Sequence, residues 1–214
     1  INNSCNSAYG GGSGLSILNN DLKFIDCLFE LNSQYEIKDD SNVYKSGYGG
    51  AIQYGSDTLK MQIIFDRCTF NNNEAEKSGG AISLHTLQPF SITSCTFNNN
   101  RANGTADDQC GGGAIFTDLG NIDSTIDITS CEFNNNIADS ENGLVLYIIN
   151  GLSASLTFDI SSHITNKGER GSSITSQCGN LLVSGVTFNF IPITDETNRN
   201  FRSFELLDNS VTTI

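Results

Sequence analysis

The chain is short of several things. It has no tryptophan, two prolines, one methionine and two histidines in 214 residues, and only 16% of it is Asp, Glu, Lys or Arg. Helices lean on Glu, Lys, Arg, Ala and Leu, so this little charge argues against a mainly helical protein. Basic residues are scarcer than acidic ones: 11 against 24, a net charge of −13. Nucleic acid and anionic bilayers both call for cationic surface, so neither is expected as a partner. The longest apolar run, Leu144–Ile149, covers 6 residues, far from the roughly 20 that cross a bilayer. No membrane insertion is expected within this segment. Initiator methionine, leader pattern and tail anchor are missing too, so the chain reads as a processed part or a piece of a longer one.

What is abundant is uncharged: 26 Asn, 21 Gly and 13 Phe. These residues fall into two recurring phrases. Gly-Gly-Ala-Ile stands at Gly49-Gly50-Ala51-Ile52, Gly79-Gly80-Ala81-Ile82 and Gly112-Gly113-Ala114-Ile115. Cys-x-Phe-x-x-Asn stands at Cys27-Phe29-Asn32, Cys68-Phe70-Asn73, Cys95-Phe97-Asn100 and Cys131-Phe133-Asn136. The two alternate strictly, and weaker copies follow at Gly171–Ile174 and Val186–Asn189. A repeat of this kind outranks every local signal, because it sets the architecture.

Successive motif cysteines lie 41, 27 and 36 residues apart. Between them apolar residues alternate, as in Phe90-Ser-Ile92 and Ile126-Asp-Ile128, which is strand patterning. Helical spacing is not sustained. Short strands with polar punctuation at this period make one coil of a parallel β-solenoid. The expected fold is therefore all-β, with about six to seven coils of roughly 27–41 residues in one domain over 1–214. Equivalent positions then stack at about 4.8 Å. Cys and Phe would form inward ladders, with Cys5 on the same thiol row. The closing Asn would take the left-handed turn and exchange amide bonds with its neighbours. The paired glycines would allow a corner where a Cβ clashes.

Together the two phrases resemble the repeats of the polymorphic outer membrane proteins, autotransported surface adhesins best known from Chlamydia, with bacterial and protist relatives. The resemblance covers roughly residues 5–190. It implies a right-handed parallel β-helix on a cell surface, engaged in adhesion. The chain departs from the family pattern in its cysteine two residues before most motif phenylalanines, and it carries no C-terminal translocator barrel.

Seven cysteines is an odd count. Stacked neighbours keep their Cβ atoms near 4.8 Å, beyond the roughly 3.8 Å of a disulfide, so buried free thiols are expected, with strained disulfides between neighbouring coils the alternative in an oxidising compartment. Cys110 and Cys178 lie off the row and are the better candidates for pairing. No Cys-x-x-Cys or His-bearing zinc spacing exists, so neither metal nor cofactor is expected. Asn2 and Asn103 open N-glycosylation sequons.

Catalysis on polysaccharide would need several carboxylates converging on one face. The acidic residues are instead scattered, and His85 and His163 read as solvated or packed. Binding is easier to place. The gaps between motif Asn and the next Gly pair are long at Ser33–Tyr48 and Arg101–Gly111 but short after Asn73. Both insertions should project from one edge, where solenoids keep their specificity. Tyr35, Tyr44 and Tyr48 with Asp39 and Asp40 in the first, and Asp107 and Asp108 in the second, are the candidate contacts for a host or cell-surface protein or glycan. The runner-up is a filament subunit that stacks on copies of itself through open ends near 1–12 and 201–214; a polysaccharide-acting enzyme comes third.

Overall fold

The structure, a computed structural model, describes residues 4–6, 15–18, 21–35, 37–38, 44–45, 47–56, 62–86, 88–105, 110–120, 122–140, 142–151, 153–158, 163–165, 171–177, 180–184, 187–188, 201–206 and 211–213. Among these no residue is helical. The strands form four parallel sheets, and as far as Ala138 each coil adds one strand to each in turn. Sheet I holds seven strands, from Leu15–Leu18 through Ile52–Ser56, Ile82–Thr86, Ile115–Asp118 and Leu146–Ile149 to Phe201–Leu206. Sheet II also holds seven, from Leu22–Ile25 to Val211–Thr213. Sheet III holds six, from Leu28–Glu30 to Thr187–Phe188. Sheet IV holds five, from Ser4–Asn6 to Ile137–Ala138. The chain is a parallel β-helix.

Parallel pairing in register puts the same motif residue at the same height in each coil. Ile52, Ile82 and Ile115 are partners in sheet I, and Phe29, Phe70, Phe97 and Phe133 in sheet III. The four phenyl rings stack at 4.9, 4.7 and 4.9 Å with planes within 7°, all fully buried. Sheet IV is lined inside by Ala75, Ala102 and Ala138, small because the Gly pair follows and the coil is narrow there.

Three corners per coil use left-handed backbone. One is the first glycine of each pair, with φ of 69° at Gly49 and 67° at Gly79. The second lies just before each ladder cysteine, at Asp26, Arg67, Ser94 and Ser130. The third is at Leu31, Asn72, Asn99 and Asn135. The turn thus falls on the residue before the motif Asn, which corrects the expectation that the closing Asn itself is left-handed. That frees the closing Asn to point its amide into the coil, and the left-handed position goes to a residue that tolerates it.

Leu31 is the misfit in that row. It holds φ 55° and is 58% exposed, so it meets the left-handed cost of roughly 1–2 kcal/mol without burying its side chain. Leu31→Asn, matching the later coils, should raise stability by about 1 kcal/mol, read as a higher urea midpoint at unchanged slope. Thr117 is a second misfit. It occupies the inward row of Tyr54, Leu84 and Ile148, fully buried, and its hydroxyl has no hydrogen-bond partner. Thr117→Val should stabilise the protein by about 1 kcal/mol, the cost of a buried hydroxyl left unmatched, in the same denaturant assay.

Cys5 also departs from expectation. The strand Ser4–Asn6 pairs with Ser33–Tyr35, which sets Cys5 opposite Gln34 in sheet IV rather than in line with Cys27. The phenylalanine that follows each ladder cysteine by two residues is replaced after Cys5 by Ser7.

Candidate functional site

The closing asparagines form a continuous buried column. Asn32 Nδ2 donates to Asn73 Oδ1 at 2.8 Å, Asn73 Nδ2 to Asn100 Oδ1 at 2.9 Å, and Asn100 Nδ2 to Asn136 Oδ1 at 3.0 Å. Each Oδ1 also accepts the backbone N–H of the preceding coil's Asn. The second amide hydrogen of Asn73, Asn100 and Asn136 goes to the carbonyl of Phe29, Phe70 and Phe97. A buried amide has two donors and two acceptor sites, and Asn73 and Asn100 use all four. A second, half-buried column runs the other way outside, from Asn134 to Asn98 to Asn71. Three consecutive asparagines therefore do three jobs: outer column, left-handed turn, inner column.

The thiols stack beside them. Cys68, Cys95 and Cys131 are buried, Cys27 is half-buried, and these four with Cys110 are free thiols. The glycines Gly50, Gly80 and Gly113 take up the closest approach between coils: a Cβ on Gly80 would lie 2.1 Å from Gly113 O.

The edge between sheets IV and I carries both insertions. Ser33–Tyr35 and Arg101–Ala102 turn out to be coil strands of sheet IV, flanking Glu74–Ala75, so the excursions begin only after them. Tyr35 pairs with Asn6. Tyr44 sits on a small antiparallel hairpin, Ile37–Lys38 against Tyr44–Lys45. Asn2, Asp39, Asp40, Asp107, Asp108 and Cys178 lie outside the described residues. Tyr48 bridges Ser78, which bridges Gly111, so both excursions rejoin the coil at equivalent points.

The described ends of these excursions lie against the outer face of sheet I. That face carries an apolar cluster, with Phe116 and Tyr147 fully buried and Tyr48 packed on them. Gly111 comes so close to the Tyr147 ring that a Cβ would be 2.6 Å from Cδ1. Cys110 is buried against Gly104, its carbonyl accepting from Ser140 Oγ and Asn142 Nδ2. Asn103 is tied down as well. Its amide donates to Glu74 Oε1, and its own oxygen accepts from Arg101 Nε at 2.8 Å.

At the centre of this face is His85, a residue that sequence reasoning gave no role. Tyr48 meets it edge-on at 5.1 Å, and Phe116 lies 5.5 Å away. Lys77 Nζ stands 5.6 Å over the Tyr48 ring. His85 Nδ1 is 3.9 Å from Asp118 Oδ2. Burial by itself pushes the Asp118 carboxyl up, but His85, the Gly120 N–H and Asn150 Nδ2 together outweigh it and hold the group below its ordinary value. A depressed folded pKa adds stability above the unfolded value, and that stability is lost as pH falls through the folded one. Asp118→Asn should therefore narrow the stability gap between pH 7 and the acid limb below about 4, measured as unfolding midpoints across pH. Ser83, on the same face, does not complete a nucleophile–base pair: its hydroxyl and His85 Nε2 are buried and make no hydrogen bond. The one signal for this cluster was an aromatic residue at an outward strand position, Phe116 and Tyr147 in successive coils.

The fold and these columns define a repeat-built scaffold of the β-solenoid class. Residues 67–84 and 94–118 match the family model of the Chlamydia polymorphic membrane protein repeat. The first segment spans the Cys68–Asn73 phrase and Gly79–Ile82, the second Cys95–Asn100 and Gly112–Ile115, so the coils in these two segments are similar to that repeat. No curated protein and no solved structure matches the chain.

Proposed function

We propose that the chain is a non-enzymatic, cell-surface adhesive module whose contacts lie on the excursions between sheets IV and I. The observation that carries this reading is the match to a repeat of membrane-protein type in a coil whose two long excursions leave the same edge. The coil interior is committed to packing, since the ladder side chains are buried and hydrogen-bonded or stacked. Solenoids keep their specificity in such excursions. Tyr44 and Tyr48 supply large, stiff contact area with a hydroxyl, suited to protein or glycan. Trimming residues 37–46 and 105–109 to the length of the short 76–79 connection tests it. Binding of the labelled chain to host cells or a glycan panel should disappear while the unfolding midpoint stays put. Binding that survives trimming would sink the reading.

A second reading, end-to-end assembly of copies, draws on the parallel register of sheets I and II, which run through the first and last described coils and which a further coil could extend without changing the pattern. It requires a sedimentation coefficient that climbs with concentration; a constant one rejects it.

A further inference from the structure

The thiol column has a geometry that packing alone does not call for. Cys27, Cys68, Cys95 and Cys131 all point Sγ at the carbonyl two residues back, at 3.2, 3.4, 3.3 and 3.2 Å. One shared rotamer on strands in register places the four sulfurs in single file at the coil spacing of about 4.8 Å. That is longer than a disulfide allows. A thiolate bond to a d10 metal ion is about 2.3 Å, the zinc value, so a linear sulfur–metal–sulfur bridge spans about 4.6 Å. The gap between coils fits such a bridge.

The column also supplies the outer contacts of a metal thiolate. Cys68 N–H donates to Cys95 Sγ at 3.3 Å, and Cys95 N–H to Cys131 Sγ at 3.4 Å. Hydrogen bonds to sulfur steady metal-bound thiolates and tune them, and they strengthen when the acceptor becomes charged. The donor set decides which metal. Among the described residues no three His, Cys, Asp or Glu side chains converge on one point. Tetrahedral zinc, which wants four ligands, has no place here. Among the described residues each gap offers two sulfurs and no third His, Cys, Asp or Glu side chain, the demand of soft, two-coordinate ions.

We propose that the column Cys27–Cys68–Cys95–Cys131 binds soft monovalent d10 cations, copper(I) being the biological representative, each ion bridging the sulfurs of two adjacent coils. Two thiols and one ion give one sulfur–metal–sulfur bridge and release one proton, so the buried column stays neutral. Four thiols enclose three gaps, and the column takes up to three ions. Soft cations bond strongly enough to sulfur to displace a thiol proton, whereas hard ones prefer oxygen. Entry is at Cys27, the half-buried end; Cys68, Cys95 and Cys131 are 1%, 1% and 0% exposed.

The test is titration of the full chain with silver(I), a redox-stable probe, in excess methionine to strip singly held ions. Retained ions are counted by native mass spectrometry. Bridging makes the count respond to position. Cys95→Ser interrupts the column in the middle and should lose two ions relative to wild type. Cys27→Ser and Cys131→Ser, at its ends, should each lose one, and Cys110→Ser should leave the bridged ions in place. X-ray absorption on the wild type should show two sulfurs per silver. A wild type that retains no silver, a single ion lost in Cys95→Ser, or three sulfurs around the metal would each overturn the proposal. Should Cys95→Ser fail to fold, the end variants and the coordination number still decide.

Discussion

Asn100→Ala should be among the most damaging single substitutions in the chain, costing about 4 kcal/mol or more. The side chain is fully buried and holds four hydrogen bonds. Removing it strands Asn73 N–H, Asn73 Nδ2, Phe70 O and one side of Asn136 Oδ1. A buried polar group left unmatched costs about 1–3 kcal/mol, and relaxation recovers only part of that sum. Asn98→Ala, in the half-buried outer column, should cost below about 1 kcal/mol, since water replaces the lost partners. Asn100→Asp sharpens the point. It keeps the shape and the acceptor facing Asn73, but turns the donor toward Phe70 O and Asn136 Oδ1 into a second acceptor. Burial and facing oxygens raise the folded pKa of such a carboxyl above its unfolded value. Its stability is then greatest below the unfolded pKa and is lost as pH rises through the folded one. Asn100→Asp should therefore be least stable near neutrality and recover partly in acid. Denaturant midpoints at pH 7 and pH 4 measure both effects.

Gly80→Ala should be comparably harmful for a different reason. The added methyl would meet Gly113 O at 2.1 Å, Arg101 N at 2.5 Å and Arg101 C at 2.6 Å. All three are backbone atoms of the next coil, and that backbone is held in place by Gly80 N donating to Gly112 O and Arg101 N to Asn73 O. Nothing nearby can rotate away, so the coils must part. The expected loss is about 3–5 kcal/mol, the upper range for one substitution. Leu31→Asn, at a left-handed site with open space, should move the midpoint the other way. A thermal or urea midpoint for Gly80→Ala within error of wild type would show that the coils are farther apart than described.

Much of the fold was legible because a solenoid repeats its demands. Each coil needs a phenylalanine under sheet III and an amide at the same height, so Phe29, Phe70, Phe97 and Phe133 announce the register by their letters alone. The division of labour within Asn71-Asn72-Asn73 was not legible. Three identical letters carry three conformations, and only the backbone distinguishes the left-handed one. Cys5 misled for the opposite reason: the letter matches the thiol row, but Ser7 stands where the row requires phenylalanine. The face over sheet I was hidden more deeply. Length identified the excursions as insertions, yet length does not say whether a loop stands free or folds back. Phe116 and Tyr147 at outward positions hold the answer, since two buried aromatics outside the coil must be covered by something, and Tyr48, Cys110 and Gly111 are near them. His85 gained its surroundings from that covering and not from its own neighbours in sequence.

If the inner amide column ties the coils together, its own backbone amides must be among the last to open. The N–H groups of Asn32, Asn73 and Asn100 each donate to a side-chain oxygen of the next coil, where strand bonding does not protect them. Native-state hydrogen exchange, followed residue by residue, should find these three amides exchanging only through global unfolding, with the protection of the buried strands on either side. Exchange well ahead of global unfolding would contradict the column as the element that joins coil to coil.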